Sequence, residues 1–457
     1  MTGDRRPASR GWLAVAVGLP LYAFLYDNAT SLPGAAGHAW TRLTPLSREV
    51  RIVEIGAVLL LLAVALSYGV SRITRVVLVG SLCVFGLGLA SYLRTGVGPP
   101  EVGLVDAVRL IYMYLLPLWL FVIALEAPFD AQGWRWMATT VLVWTAVSAV
   151  ASWAQLVLLG YPVGDDITGL NKDAHANGTL MMLVAIQLCA FAMFERARTP
   201  LLAALLFLVT MVFSSVLKVM FFGIAALAVL FWMYMRSERA RREAWARRGL
   251  EWALVAGLTI TSVVVVFLRV DVLSSERMAP LIEKLREDPA SLGPLQAHQA
   301  AAAKVWVDLP TLLTGRGPFR FANPISVGQV LDSGRLGRQA SGEVLAVQDE
   351  KGESTRITLS SSLLAEFGAP AFLIALAMYV AVWRTVLRAC ADRRPGIRLR
   401  ASGALACLSV LLLTSLSSLF GSFDTMSVSW PVMLLAGVTC RLGLTEESAP
   451  METAPPA

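Results

Sequence analysis

Residues 200–235 read PLLAALLFLVTMVFSSVLKVMFFGIAALAVLFWMYM, two apolar runs of near-membrane length parted by Ser214, Ser215 and Lys218. A hydrocarbon core of about 30 Å takes about 20 helical residues to cross. Inside it every backbone N–H and C=O must find an internal partner, which a helix supplies within one segment. The two runs therefore read as membrane helices joined by a tight reversal. The same reading extends along the chain in both directions, to apolar blocks near 11–26, 52–70, 76–93, 106–125, 136–160, 175–194, 200–216, 219–235, 253–268, 360–383, 401–421 and 425–440. The expected fold class is an all-α polytopic membrane protein with about twelve transmembrane helices.

Composition agrees. The 457 residues are 56% hydrophobic and only 16% charged, with a mean hydropathy of +0.64, whereas a soluble domain has about a quarter of its residues charged. The formal charge of +7 is a topology signal, because lysine and arginine are retained on the cytoplasmic side. With the N-terminus inside, the expected inner segments hold 21 of the 39 Lys and Arg residues and the short outer segments hold 7. The other 11 lie in the long loop at 269–358, where 11 acidic residues balance them. A nucleic-acid patch is not needed to explain the surplus. The expected location is the bacterial inner membrane, with both termini cytoplasmic and an uncleaved first helix.

The domain plan has helices 1–9 over 1–268, an extracytoplasmic loop over 269–358, helices 10–12 over 359–440, and a disordered tail over 441–457. Within the loop, 274–288 and 295–308 read as helical pieces, each closed by a proline. Thr314-Gly-Arg-Gly-Pro-Phe-Arg320 reads as a turn, and 343–348 with 355–359 as a β-hairpin. All five cysteines fall in expected helices or on the inner side, and no Cys/His spacing for a metal occurs.

Charges at membrane depth are costly and are default candidates for function. Lys218 is the sharpest, although a boundary lysine also snorkels to water for no functional reason. Lys172, Asp173 and His175 cluster at the entrance to the sixth helix. A helix N-terminus with nearby cations attracts anions, while Asp173 or Asn171 equally suits a plain N-cap. His175 has the right chemistry for a base near neutral pH; a packed boundary histidine is the other reading. Arg316 and Arg320 flank Gly317-Pro-Phe319; guanidinium groups grip phosphate oxygens in pairs, and glycines on both sides of Arg316 let backbone approach a ligand. A solvated turn is the alternative. Ser360 opens the run Ser-Ser-Ser-Leu-Leu-Ala that leads to Glu366, a carboxylate expected just inside the membrane with a polar partner. There is no P-loop, no GxGxxG and no DxD, so an enzyme of this kind needs a donor already activated outside the cytoplasm. A lipid diphosphate meets that need, with cations stabilising the leaving group and a base deprotonating the acceptor.

Four of these places resemble the O-antigen ligase and Wzy-type polymerase family. They are Asp173-Ala-His-Ala-Asn-Gly178, the reversal Ser214-Ser215…Lys218, Trp306…Pro310…Gly315-Arg-Gly-Pro-Phe319, and Leu363-Leu-Ala-Glu-Phe-Gly368. The likeness covers about 160–440. It implies an inverting, metal-independent and cofactor-free glycosyl transfer from an undecaprenyl-diphosphate-linked oligosaccharide to a sugar hydroxyl. By that resemblance the cations at the reversal and in the loop, here Lys218 and Arg316, hold diphosphate, and a histidine near the loop's end acts on the acceptor. From the residues themselves His175 is the candidate base, and Lys172, Asp173, Arg320, Ser360 and Glu366 are the candidate substrate contacts. Implied partners are membrane lipids and a chain-length regulator and flippase of the same pathway. This chain departs from the pattern twice: Lys218 stands where the family usually has arginine, and Thr358-Leu-Ser-Ser-Ser362 where it often has histidine. His175 or His298 then supplies the base, or diphosphate stabilisation works alone. Polymerase is the preferred expectation and ligase the second. A transporter or flippase and a glycosyltransferase using polyprenyl-monophosphate sugars are the alternatives from other classes.

Overall fold

The computed structural model of the protein describes residues 10–29, 44–95, 104–160, 167–171, 174–195, 198–213, 217–235, 309–315, 317, 363–364, 366–392, 394–417 and 426–446. The regular structure among these residues is helical. In chain order the helices are α1 (Arg10–Ala29), α2 (Thr44–Leu66), α3 (Arg72–Thr95), α4 (Leu104–Glu126), α5 (Ala131–Val157) and α6 (Ala174–Glu195). They continue with α7 (Arg198–Phe213), α8 (Leu217–Met235), the single-turn piece α9 (Leu309–Thr314), α10 (Ala369–Ala389), α11 (Pro395–Ser417) and α12 (Met426–Glu446). Five of them, α3, α5, α6, α10 and α11, are long and apolar enough to cross a membrane. The other long helices carry shorter apolar stretches. This is the architecture of a helical membrane protein.

The expected block at 253–268, the helical pieces at 274–288 and 295–308, and the hairpin at 343–359 lie outside the described residues. Elsewhere some boundaries move. α2 starts at Thr44, well before 52, and α11 at Pro395, before 401. α12 runs to Glu446, past its expected end at 440. α10 starts at Ala369 and not near 360, because Gly368 takes φ 85° and Pro370 sits in the first turn. A left-handed residue cannot continue the short helical turn at 363–367, and proline is well suited to opening a new helix.

Three helices form the centre. α4 is buried almost all round from Tyr114 to Ala127, α6 from Ala176 to Ile186, and α12 from Val428 to Cys440. A helix apolar on every side belongs in the middle of a bundle. α12 packs on α4, α11 and α1; α6 packs on α7, α11 and α8; α3 packs on α4 and α10. The outer faces of α3, α5 and α10 present Leu82, Val150 and Leu373, each more than half exposed, as a lipid-facing surface would.

The bundle has two distinct ends. At the base, Arg441 of α12 donates to the carbonyls of Leu125 (3.2 Å), Glu126 (2.8 Å) and Phe129 (3.1 Å). These belong to the last turn of α4 and the segment after it, where backbone carbonyls lack helical partners and a cation suits the negative end of the helix dipole. The Glu126 carboxylate in turn accepts from the Ser71 N–H at 2.8 Å and from the Thr74 hydroxyl, covering the positive N-terminus of α3. One charged residue thus closes each of two adjacent helix ends. Arg394 grips Asp392 through Nε and Nη2 at 2.9 and 2.7 Å and donates to the Gly443 carbonyl at 2.7 Å. At the opposite end, hereafter the loop end, α1, α3 and α5 finish and α2, α4, α6 and α12 begin.

Candidate functional site

Two stretches that the sequence singles out separately, Gly315-Arg-Gly317 and Leu363–Gly368, meet at the loop end. The Gly317 N–H donates to the Glu366 carbonyl at 2.9 Å. The same carbonyl accepts the Ser91 hydroxyl of α3 at 2.9 Å, and Arg94 of α3 donates from Nη2 to the Gly315 carbonyl at 2.8 Å. The approach is backbone to backbone. A Cβ at Gly315 would run into the Glu366 carbonyl, and one at Gly368 into the Leu313 carbonyl. Both glycines also have positive φ, 72° and 85°, a region that L side chains rarely enter. The glycine before Arg316 therefore serves packing of one chain segment on another, where the sequence reading assigned it to ligand approach.

Arg316 and Arg320 lie outside the described residues, as do Lys172, Asp173 and Ser360. The neighbours of Arg316, Gly315 and Gly317, are held, the first through its carbonyl to Arg94 of α3 and the second through its N–H to Glu366, just before α10. Glu366 is fully buried. Next to it Phe367 stands edge-on to Tyr114 of α4, centroids 5.7 Å apart, and fills the space that Gly88 of α3 leaves open beside Ile111.

The entrance to α6 is fixed by a second network. Asn177, fully buried, accepts at Oδ1 from the Ser148 hydroxyl (2.9 Å) and from Asn171 Nδ2 (2.9 Å), and donates from Nδ2 to Ser152 Oγ (2.9 Å). Ser148 Oγ also accepts from the Leu170 N–H at 2.9 Å and from Asn171 Nδ2 at 2.8 Å. Gln155 exchanges bonds with both the N–H (2.9 Å) and the C=O (3.3 Å) of Gly169. Asn171 thus spends its amide on tying the loop to α5 and α6. Two turns of α5, carrying Ser148, Ser152 and Gln155 at spacings of four and three, present one polar face to this loop. His175 is the second residue of α6, so its backbone position follows from this network; its side chain lies outside the described part. Lys218 is likewise the second residue of α8, three undescribed residues after α7, with its side chain also outside.

A third group escaped sequence reading. Glu54 of α2 is buried and accepts a phenolic hydrogen bond at each oxygen, from Tyr22 of α1 at 2.9 Å and from Tyr112 of α4 at 3.1 Å. With α2 expected to begin at 52, Glu54 passes for a boundary charge; with α2 beginning at Thr44 it lies about three turns inside the helix. The available signal was an acidic residue followed by an unbroken apolar run, with tyrosines in two other expected helices. Tyr112 and Tyr114 sit on α4 two residues apart, which points them to different faces. One touches the Glu54 group and the other Phe367, so α4 stands between two buried carboxylates, Glu54 and Glu366.

The loop end thus holds the Gly315 and Gly317 junction with Glu366 and the starts of α6 and α8, the helices that carry His175 and Lys218, with Glu54 buried deeper in the bundle. Among the described residues no group of His, Cys, Asp and Glu is arranged to hold a metal ion. Compared with protein-family models and with curated proteins, the chain matches none.

Proposed function

We propose that this protein is a polymerase of lipid-linked polysaccharide repeat units, moving glycan from undecaprenyl diphosphate to an acceptor sugar hydroxyl. The observation that carries the reading is the junction of Gly315–Gly317 with Glu366 beside Arg94. There two of the four stretches that resemble the polymerase and ligase family touch, through Gly315 and Gly317, at the same end as the starts of α6 and α8. In this reading the chain crosses a bacterial inner membrane twelve times, with both termini in the cytoplasm and the loop end outside. Arg316 and Lys218 neutralise the diphosphate as the glycosidic bond to it breaks, and Arg320 and Lys172 add positive potential. His175 takes the proton from the attacking hydroxyl. Asp173, Ser360 and Glu366 orient the sugars. A flippase supplies the donor, and a chain-length regulator is the natural protein partner.

The test uses full-length protein in detergent, incubated with undecaprenyl-diphosphate repeat units, with glycans resolved by size. A ladder of multiples is expected, weakened in His175→Ala, Lys218→Ala and Arg316→Ala proteins that insert and fold normally. Unchanged monomer, in conditions where an established polymerase makes a ladder, overturns the reading. Transfer of preformed glycan to a lipid acceptor without any ladder replaces it with the ligase activity.

A further inference from the structure

A cavity of about 280 Å³ opens between α5, α6, α11 and α12, running from Arg135 near the base through the middle of the bundle to Val428 near the start of α12. Its walls are largely aliphatic and aromatic, with Ala138, Leu183, Phe191 and Leu435 among them. It is far larger than the space of roughly 10–15 Å³ that one water needs, and its apolar lining gives water few partners. The polar side chains on it include Gln187 and Arg135. Arg135 lies one turn into α5 and is exposed, so its guanidinium is at the base margin of the opening. Beside it Trp134 forms a fixed wall. Its indole N–H donates to Thr439 of α12 at 3.2 Å, and the Arg400 guanidinium of α11 lies 4.8 Å over its ring. The site therefore combines an apolar slot at acyl-chain depth, a cation at its margin, and a buried tryptophan wall held in place. Basic pockets between helices, on the face where positive residues gather, are a recurring way of holding anionic headgroups.

We infer that this groove is a site for an anionic glycerophospholipid of the leaflet at the base, with one acyl chain in the cavity and its phosphate on Arg135. Positive charge at the margin favours an anionic over a zwitterionic headgroup. Its cationic margin at Arg135 lies at the base, opposite the Gly315 turn, which distinguishes the headgroup position from the end where the proposed donor diphosphate would lie. The inference uses the orientation proposed above and no part of the proposed chemistry, so the two fail separately.

The experiment is native mass spectrometry of the full-length protein in mild detergent, with dioleoylphosphatidylglycerol or dioleoylphosphatidylcholine added at equal concentration. One basic side chain near an anionic headgroup predicts a preference of roughly fivefold for phosphatidylglycerol. Arg135→Gln is expected to remove the preference while leaving phosphatidylcholine binding unchanged. Ala138→Phe, which fills the groove, is expected to reduce both. Equal binding of the two lipids by the wild-type protein overturns the inference, as does an undiminished preference in Arg135→Gln. Exclusion of phosphatidylglycerol by added undecaprenyl diphosphate, to the same degree in the wild-type and Arg135→Gln proteins, assigns the cavity to a polyprenyl tail and also overturns it.

Discussion

The Gly317 N–H points at the Glu366 carbonyl from 2.9 Å, so a turn in the long loop and the start of the segment before α10 behave as one unit. The unit is made of main chain, and the side chains at 315 and 368 have to be hydrogen for it to close.

Gly315→Ala is expected to open this unit. A left-handed L residue costs about 1–2 kcal/mol, and displacement of the Glu366 carbonyl adds to that. Thermal unfolding in detergent should show a clear loss, with Ser91→Ala costing less, about 0.5–1.5 kcal/mol for one hydrogen bond. A Gly315→Ala protein as stable as the wild type, with Arg94 still bonded, would show that the contact does not hold the loop.

Glu54 tests differently, because its replacement strands two partners. Glu54→Leu leaves the Tyr22 and Tyr112 hydroxyls buried, at about 1–3 kcal/mol for each unsatisfied group. Adding Tyr112→Phe should recover part of that loss. The measurement is a double-mutant cycle on unfolding stability; strictly additive losses would mean that Tyr112 and Glu54 are energetically independent.

Asn177 is the hub of the loop before α6. Asn177→Leu should free Ser148, Ser152 and Asn171 and raise hydrogen exchange at 167–171. If the catalytic reading is right, activity falls with it although Asn177 is not a candidate for the chemistry. Unchanged exchange at 167–171 would argue that Gln155 and Ser148 fix the loop without Asn177.

At the base, hydrogen bonds from the Arg394 side chain, with its charge and backbone N–H contributing, hold the Asp392 carboxyl below the usual aspartate value. A lowered folded pKa gives stability that is present above the unfolded value of about 3.9 and is lost as pH falls through the folded value. Asp392→Asn should therefore flatten the decline of unfolding temperature below about pH 4, while little separates the two proteins in how stability changes between pH 5 and 8. The effect is small because both partners of the pair are partly exposed and solvent screens their charges. An acid limb of the same steepness in both proteins would assign that limb to other carboxylates.

Much of the architecture was legible without coordinates. Eleven of the twelve apolar blocks fall on described helices, five of which are long and apolar enough to cross a membrane, because in lipid a twenty-residue apolar run has almost no alternative to helix. Boundaries were less legible. α2 extends back to Thr44, eight residues before its expected start, because arginine and glutamate propagate a helix nearly as well as leucine and an apolar count passes over them. Residues 441–446 of the expected tail stay helical as well, with Arg441 answering carbonyls of α4.

For the candidate site, the sequence by itself determined which residue types stand near the loop end: His175, Lys218, the Gly-Arg-Gly turn and Glu366. It did so because local composition and apolar spacing are read along one dimension. Only the tertiary structure decided that Gly317 meets Glu366, that Arg94 holds Gly315, and that Glu54 receives two tyrosines from helices before and after it. Those pairings join segments distant in sequence, and their specificity lies in backbone approach and helix rotation, neither of which leaves a periodic mark on the chain.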